Sequence, residues 1–162
     1  VVFQPLRVPE RPDRPDRRRE SLQEQFPMSI PFWCVFISAL LIFVARIPVS
    51  REMKARGYDN HNPRNQQAAL TGLGARAVAA HQNSWEAFTL FAVAVLMAHT
   101  TQMQGWLIDL LAIVFVVARV LYLWLYLADK ASPRSLVWVV GLVCSLLIML
   151  SPVYRQMVLA TL

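Results

Sequence analysis

Cysteine is scarce in this chain. Cys34 and Cys144 are the only two in 162 residues; each sits inside an apolar run, with no C-x-x-C pair and no metal-type spacing between them. Both read as inert packing residues. The three histidines, His61, His81 and His99, also lack close ligand spacing, so no metal site is expected. Charge is sparse as well, at 16% of residues. The net charge of +6 raises the question of nucleic acid, but no basic stripe with interleaved aromatics exists outside hydrophobic segments. Nor is there an internal repeat, or a pair of Gly/Pro-broken helices of the kind that builds a transporter's midplane site.

What the chain does contain is apolar residues, 56% of the total, with a mean hydropathy of +0.41. That composition belongs to a polytopic membrane protein rather than a soluble domain. The expected fold is all-α: an integral membrane four-helix bundle in one domain, over residues 28–162. Residues 1–27 differ. The stretch Pro9 to Glu20 mixes both charge signs with three prolines, which opposes helix continuity and core burial, so a disordered arm is expected. It is not a signal peptide, because the apolar run after it is long enough to span and no small-residue cleavage site follows. Met28 opens the apolar part, an argument that the arm is not native.

Four spans are expected. The first runs from Ile30 to about Val49, with Pro31 in a permissive first turn and Pro48 near the end. After a basic and polar loop, Asn62-Pro63 reads as a helix start, from which a helix to Ala98 would be about 50 Å long, beyond the roughly 30 Å hydrocarbon layer. Either its first turns protrude or Gly72 and Gly74 break it. The third span is Trp106–Ala128 and the fourth Ser135–Leu150, stopped by Pro152. Arg51, Lys54, Arg56 and Arg64 follow the first span, Lys130 and Arg134 follow the third, and the middle turn has no Lys or Arg. The positive-inside rule puts the two basic loops in the cytoplasm; the arm's six arginines argue the other way if it is translated.

The second span is not uniformly apolar. Arg76, His81, Gln82, Asn83 and Glu86 precede its hydrophobic half, and such groups at membrane depth cost roughly 2.5–3.5 kcal/mol each even on the lenient insertion scale. They persist where they face one another, water or a polar ligand. Arg119, Tyr122 and Tyr126 reach the same depth from the third span and share one face by their i, i+3, i+7 spacing. At about 100° per residue, Glu86 points about 80° away from Arg76, and His81 nearly to the other side. One cleft within a subunit does not easily serve all of them, which suggests an oligomer with sites between subunits.

The segment Arg76-Ala77-Val78-Ala79-Ala80-His81-Gln82-Asn83-Ser84-Trp85-Glu86-Ala87-Phe88 resembles the second-helix signature of the MAPEG family, the membrane-associated proteins in eicosanoid and glutathione metabolism. The loop Gly57 to Arg64 resembles that of the family's bacterial branch, and Ala118-Arg119-Val120-Leu121-Tyr122 with Tyr126 resembles its third-helix motif. The resemblance covers about Met28 to Leu162. It implies a homotrimer in the bacterial inner membrane, with glutathione held between subunits on the cytoplasmic side as thiol co-substrate. By position, Arg76, His81, Asn83, Glu86 and Arg119 would bind glutathione, and Arg134, Tyr122 and Tyr126 would be catalytic. The interval from Arg119 to Arg134 is one residue longer than in some members. Ala79 stands where the eicosanoid-processing members carry a second arginine, a departure that bears on thiol affinity.

The chemistry fits these residue types. Glutathione brings two carboxylates, an ammonium and a thiol; guanidinium forks suit the carboxylates and Glu86 suits the ammonium. A thiol with pKa near about 8.5 is mostly neutral at pH 7, and a nearby cation such as Arg134 shifts it toward thiolate. The resulting expectation is a glutathione-dependent transferase or peroxidase acting on lipophilic electrophiles or hydroperoxides that arrive from the lipid bilayer. The alternative is a non-catalytic membrane scaffold or accessory subunit of a larger membrane complex, in which Arg76, Glu86 and Arg119 clamp helices and Arg134 is an interface-snorkelling cation.

Overall fold

The computed structural model describes residues 28–160, and its regular structure is entirely helical: α1 Ile30–Ala55, α2 Pro63–Ala68, α3 Leu73–Thr100, α4 Trp106–Leu127 and α5 Ala131–Ala160. No strand occurs among the described residues, and the arm expected over residues 1–27 lies outside them. α1 and α5 each pack on both α3 and α4, which touch each other and keep α1 and α5 apart.

Among the described residues three segments are long and apolar enough to cross a membrane: Ile30–Ala55, Trp106–Leu127 and Ala131–Met157. α3 has the length, 28 residues, but not the apolarity, because its first half carries Arg76, His81, Gln82, Asn83 and Glu86. The outward faces of those three segments are largely apolar. Phe43, Leu136 and Trp124 are each more than 60% exposed, surfaces suited to lipid or another subunit rather than water.

Three helix boundaries depart from the sequence expectation. α1 continues through Pro48 to Ala55, and α5 begins at Ala131 and runs through Pro152 instead of stopping there. Helix continuity is favoured because backbone groups released within a membrane have no water to bond. At Pro152 the local repair is visible: Ser151 Oγ donates to the Ile148 carbonyl at 2.7 Å, the acceptor that the proline cannot reach. The second span follows the expected alternative in which the glycines break it. The helix from Pro63 ends at Ala68, and Gly72, at φ +57°, turns the chain into α3. Gly74 then lets the corner close, since a Cβ there would sit 3.0 Å from Leu70 Cβ.

The core has two parts. Phe91 on α3 stacks on Phe115 of α4, centroids 3.9 Å apart and planes within 9°, flanked by Cys34, Cys144 and Ile148. Both thiols are free and buried, as packing residues should be. A smaller cluster of Val49, Met53, Leu70 and Ala77 ties α1 to the start of α3. Ser38, Ser84 and Ser145, all buried, donate to carbonyls four residues back in their own helices, so their hydroxyls need no partner across the interface.

Candidate functional site

Arg119 anchors the site. It sits one turn beyond Phe115 on α4, is 6% exposed, and leaves Nη2 buried without a hydrogen-bond partner. Its guanidinium carbon lies 4.3 Å from the centroid of the Tyr122 ring. Tyr122 in turn meets Tyr126 edge-on at 5.5 Å, and the Arg134 guanidinium carbon lies 4.3 Å from the Tyr126 centroid. The i, i+3, i+7 spacing on α4 thus produces a ladder of cation, ring, ring and cation, completed by Arg134 from the first turn of α5. Such contacts contribute about 0.5–2 kcal/mol each, more where the cation is desolvated. The ladder runs from a buried guanidinium to a half-buried one near the α4–α5 turn.

α3 supplies the facing groups. Asn83 Nδ2 donates to Glu86 Oε2 at 3.0 Å, and Asn83 Oδ1 is buried without a partner. Glu86 is exposed and within electrostatic reach of Arg119. Asn83, Glu86 and Arg119 line one cavity of about 110 Å³ between α3, α4 and α5, whose remaining walls include Leu90, Phe115, Trp138, Gly141 and Ser145. A larger space, about 790 Å³, lies at the opposite end of the molecule around Phe32, Met103 and Asp109, and holds none of the candidate site residues. Among the described residues three buried side-chain atoms lack a partner, Arg119 Nη2, Asn83 Oδ1 and Arg76 Nε, and the smaller cavity carries the chemistry because the first two are on its walls.

Two candidates point elsewhere. Arg76 Nη1 donates to Asp129 Oδ2 at 3.2 Å, an ion pair across to the α4–α5 turn, with side chains 31% and 71% exposed. At that exposure such a pair contributes about 0–1 kcal/mol. His81 turns to the other flank of α3, where Nδ1 lies 3.2 Å from the Ile42 carbonyl with Arg46 and Arg64 in electrostatic reach. Within one subunit, then, Asn83, Glu86 and Arg119 share the cavity and the ladder extends away from it, while Arg76 and His81 do not join them.

Sequence reasoning passed over Arg46, which lies in a run read as almost entirely apolar. Its Nη1 donates to Gln67 Oε1 at 2.9 Å and fastens α2 to α1. The signal was present, since a lone cation within an apolar span is the same anomaly that singled out Arg76 and Arg119. Gly141 and Ser145, at i, i+4 on α5, form the far wall of the cavity and were also passed over. Small residues at that spacing on an apolar helix mark a close approach.

Outside the spans, Asp59 organises the loop after α1. Its Oδ1 accepts from the backbone N–H of Asn62 at 3.0 Å and of His61 at 2.8 Å, and these donors hold its carboxyl below the usual carboxylate range. Gln66 completes the loop: Nε2 donates to the carbonyls of Met53 and Gly57, and Oε1 accepts from the Asp59 N–H.

The family model described as MAPEG family matches residues 30–154. The chain therefore belongs to the MAPEG family, and with three apolar spanning segments it is an integral membrane protein. Comparisons with curated proteins and with solved structures returned no match.

Proposed function

We propose that this protein is a glutathione-dependent membrane transferase or peroxidase, a homotrimer of four-span subunits formed by residues 28–162, with the thiol bound between subunits on the cytoplasmic side of a bacterial inner membrane. The observation that carries the reading is Arg119: a guanidinium 6% exposed, with Nη2 unpartnered, beside an exposed carboxylate at Glu86. Buried polar atoms are ordinarily paired, and a guanidinium held unpaired at membrane depth marks a ligand's place. In this reading Arg76, His81, Asn83, Glu86 and Arg119 contribute to thiol binding, with Glu86 matching an ammonium and the arginines matching carboxylates. Arg134 stabilises the thiolate, and Tyr122 and Tyr126 donate hydroxyls to it. The thiolate then attacks a lipophilic electrophile or hydroperoxide arriving from the bilayer.

The deciding experiment is titration of the purified protein with glutathione, followed by thiolate absorbance. Saturable thiolate formation is expected, and its absence defeats the reading. Orientation has its own test: a cysteine at Asn60 or Ser132 should be labelled from the cytoplasmic side only and one at Gln102 from outside only, and reversed labelling would move the site to the wrong side of the membrane.

A second reading draws on Arg76. That side chain's Nη1 already pairs with Asp129 within the chain, so its charge has a partner without any ligand, although its Nε does not. A non-catalytic scaffold or accessory subunit of a larger membrane complex would use Glu86 and Arg119 the same way. It predicts no thiolate at any glutathione concentration.

A further inference from the structure

The larger cavity, about 790 Å³ at the end of the molecule away from Arg119, takes no part in the proposed thiol site. It lies between the start of α1, the end of α3 and the start of α4, and has the size of a pocket for a whole small molecule. Phe32, Met103 and Ile108 make much of its wall apolar. Among the described residues that line it, Asp109 is the one acid, and none is Lys or Arg. The Asp109 carboxylate is half-buried and has no hydrogen bond or ion pair among the described residues. The bases at this end are engaged elsewhere: the His99 ring meets the Phe32 ring edge-on at 4.8 Å, and Arg155 Nη1 donates to the Thr101 carbonyl at 3.3 Å.

A carboxylate in the first turn of α4 is favoured by the helix dipole whatever it faces, which accounts for an acid at that position. The dipole does not supply a counter-ion within a mostly apolar cavity. The depth of the cavity indicates what can. Trp33 and Trp106, each next in sequence to a lining residue, are 50% and 75% exposed, and such amphipathic rings settle at the level of the lipid headgroups. The mouth of the cavity therefore opens where one leaflet presents its headgroups, and its apolar wall is within reach of an attached chain.

Charge and hydrogen bonding then select the occupant. A fatty acid or phosphatidylglycerol brings a second anion to Asp109. A neutral glyceride leaves the carboxylate without a counter-ion, and a choline head carries the charge but no N–H to donate. A primary ammonium on an apolar chain supplies both, and the Phe32 ring in the same wall suits a cation. We propose that this cavity binds such a group, as the aminophospholipids of the surrounding leaflet present it, with Asp109 as the partner of the ammonium. The phosphate diester beside that ammonium has the neutral donors of Gln104 and His99 to meet, and no second carboxylate. Because the walls come from three helices, the occupant joins α1 to α3 and α4 and should raise the melting temperature. The site is independent of the thiol chemistry at the other end.

The test places the full-length protein in nanodiscs of equal parts phosphatidylethanolamine and phosphatidylglycerol and counts the lipids retained on release by native mass spectrometry. The wild type should retain the ethanolamine lipid in preference, and Asp109→Asn, which keeps the shape and removes the charge, should lower that preference by about tenfold, the effect of one lost charge-assisted hydrogen bond. Ser29→Trp should do the same by obstructing the mouth: Ser29 is exposed and its hydroxyl makes no cap bond, so the change removes no contact. If Asp109→Asn does not fold, Ser29→Trp decides. Dodecylammonium should displace the retained lipid from the wild type, and dodecanoate should not. Dodecylammonium bound through Asp109 without any retained phospholipid would keep the ammonium site and assign it to free amines. Equal retention of the two lipids with no binding of dodecylammonium overturns the proposal, as does a preference that both variants leave unchanged. Thiolate formation with glutathione should be the same in all three proteins, so this site and the proposed function can each fail alone.

Discussion

On the flank of α3 that faces α1, polar groups at membrane depth are matched: His81 Nδ1 lies against the Ile42 carbonyl, and Arg46 bonds Gln67. On the flank that faces α4 and α5 they are not, since Arg119 Nη2 and Asn83 Oδ1 are buried without partners. The two flanks have similar residue types and opposite bonding. Burying an unsatisfied group costs about 1–3 kcal/mol, more when it is charged, so a fold that leaves two of them on one cavity forgoes stability where the other flank secures it. The difference assigns structure to the first flank and ligand chemistry to the second.

The strongest way to break that comparison is Arg119→Met. If the guanidinium serves a ligand, glutathione-dependent activity should fall by roughly 100-fold, the scale for loss of one preorganised charged donor. The melting temperature should hold or rise, because methionine fills similar space and removes a buried unpaired charge. A variant that loses activity and melting temperature together would show that Arg119 is a clamp like those on the other flank.

The matched flank should respond in the opposite sense. Gln67→Leu strips Arg46 of its acceptor and should destabilise the protein by about 1.5–3 kcal/mol, the range for a hydrogen bond to a charged group, while thiolate formation is kept. A double-mutant cycle with Arg46→Met should recover about 1 kcal/mol or more of coupling. Coupling near zero, read from thermal unfolding in detergent, would mean that the 2.9 Å contact contributes nothing. The Arg76–Asp129 pair is weaker. Asp129→Asn should cost about 0–1 kcal/mol and lose what effect it has at high salt, because both partners reach solvent.

How far the sequence anticipated these flanks depends on what averaging hides. Arg119, Asn83 and Glu86 stood out because they interrupt or border apolar runs, and the helical period put Tyr122 and Tyr126 on the face of Arg119. Arg46 is the same kind of interruption, but the aliphatic run around it dominates any window average. The direction of His81 was legible from its angle relative to Arg76, although its partner, a carbonyl on α1, was not, since a backbone acceptor leaves no mark in a pattern of side chains. Helix ends were legible only where local chemistry ruled alone. Gly72 breaks the chain by its φ, whereas Pro152 does not, because Ser151 and the membrane's demand for bonded backbone outweigh it.

The smallest expected effect separates the flanks by pH. Asp59 lies in the loop whose neighbour Gln67 holds Arg46, and Gln66 bonds its backbone N–H, so the loop braces the matched flank only. Backbone donors, Asn62 first and His61 second, lower its carboxyl below the ordinary 3.8. A depressed carboxyl contributes stability that is fully present above the unfolded value and is lost as pH falls through the folded one. The loop should therefore keep its geometry at pH 4 and above and loosen only below 3.8, where the carboxyl takes a proton and its oxygens accept more weakly. The backbone amide resonances of His61 and Asn62 report this directly, and both should titrate together with a midpoint under 3.8. A midpoint at or above that value would show that the two N–H groups do not hold the carboxylate. Matching shifts at Asn83 would show that the loop reaches the unmatched flank as well, and the separation between the two would fail.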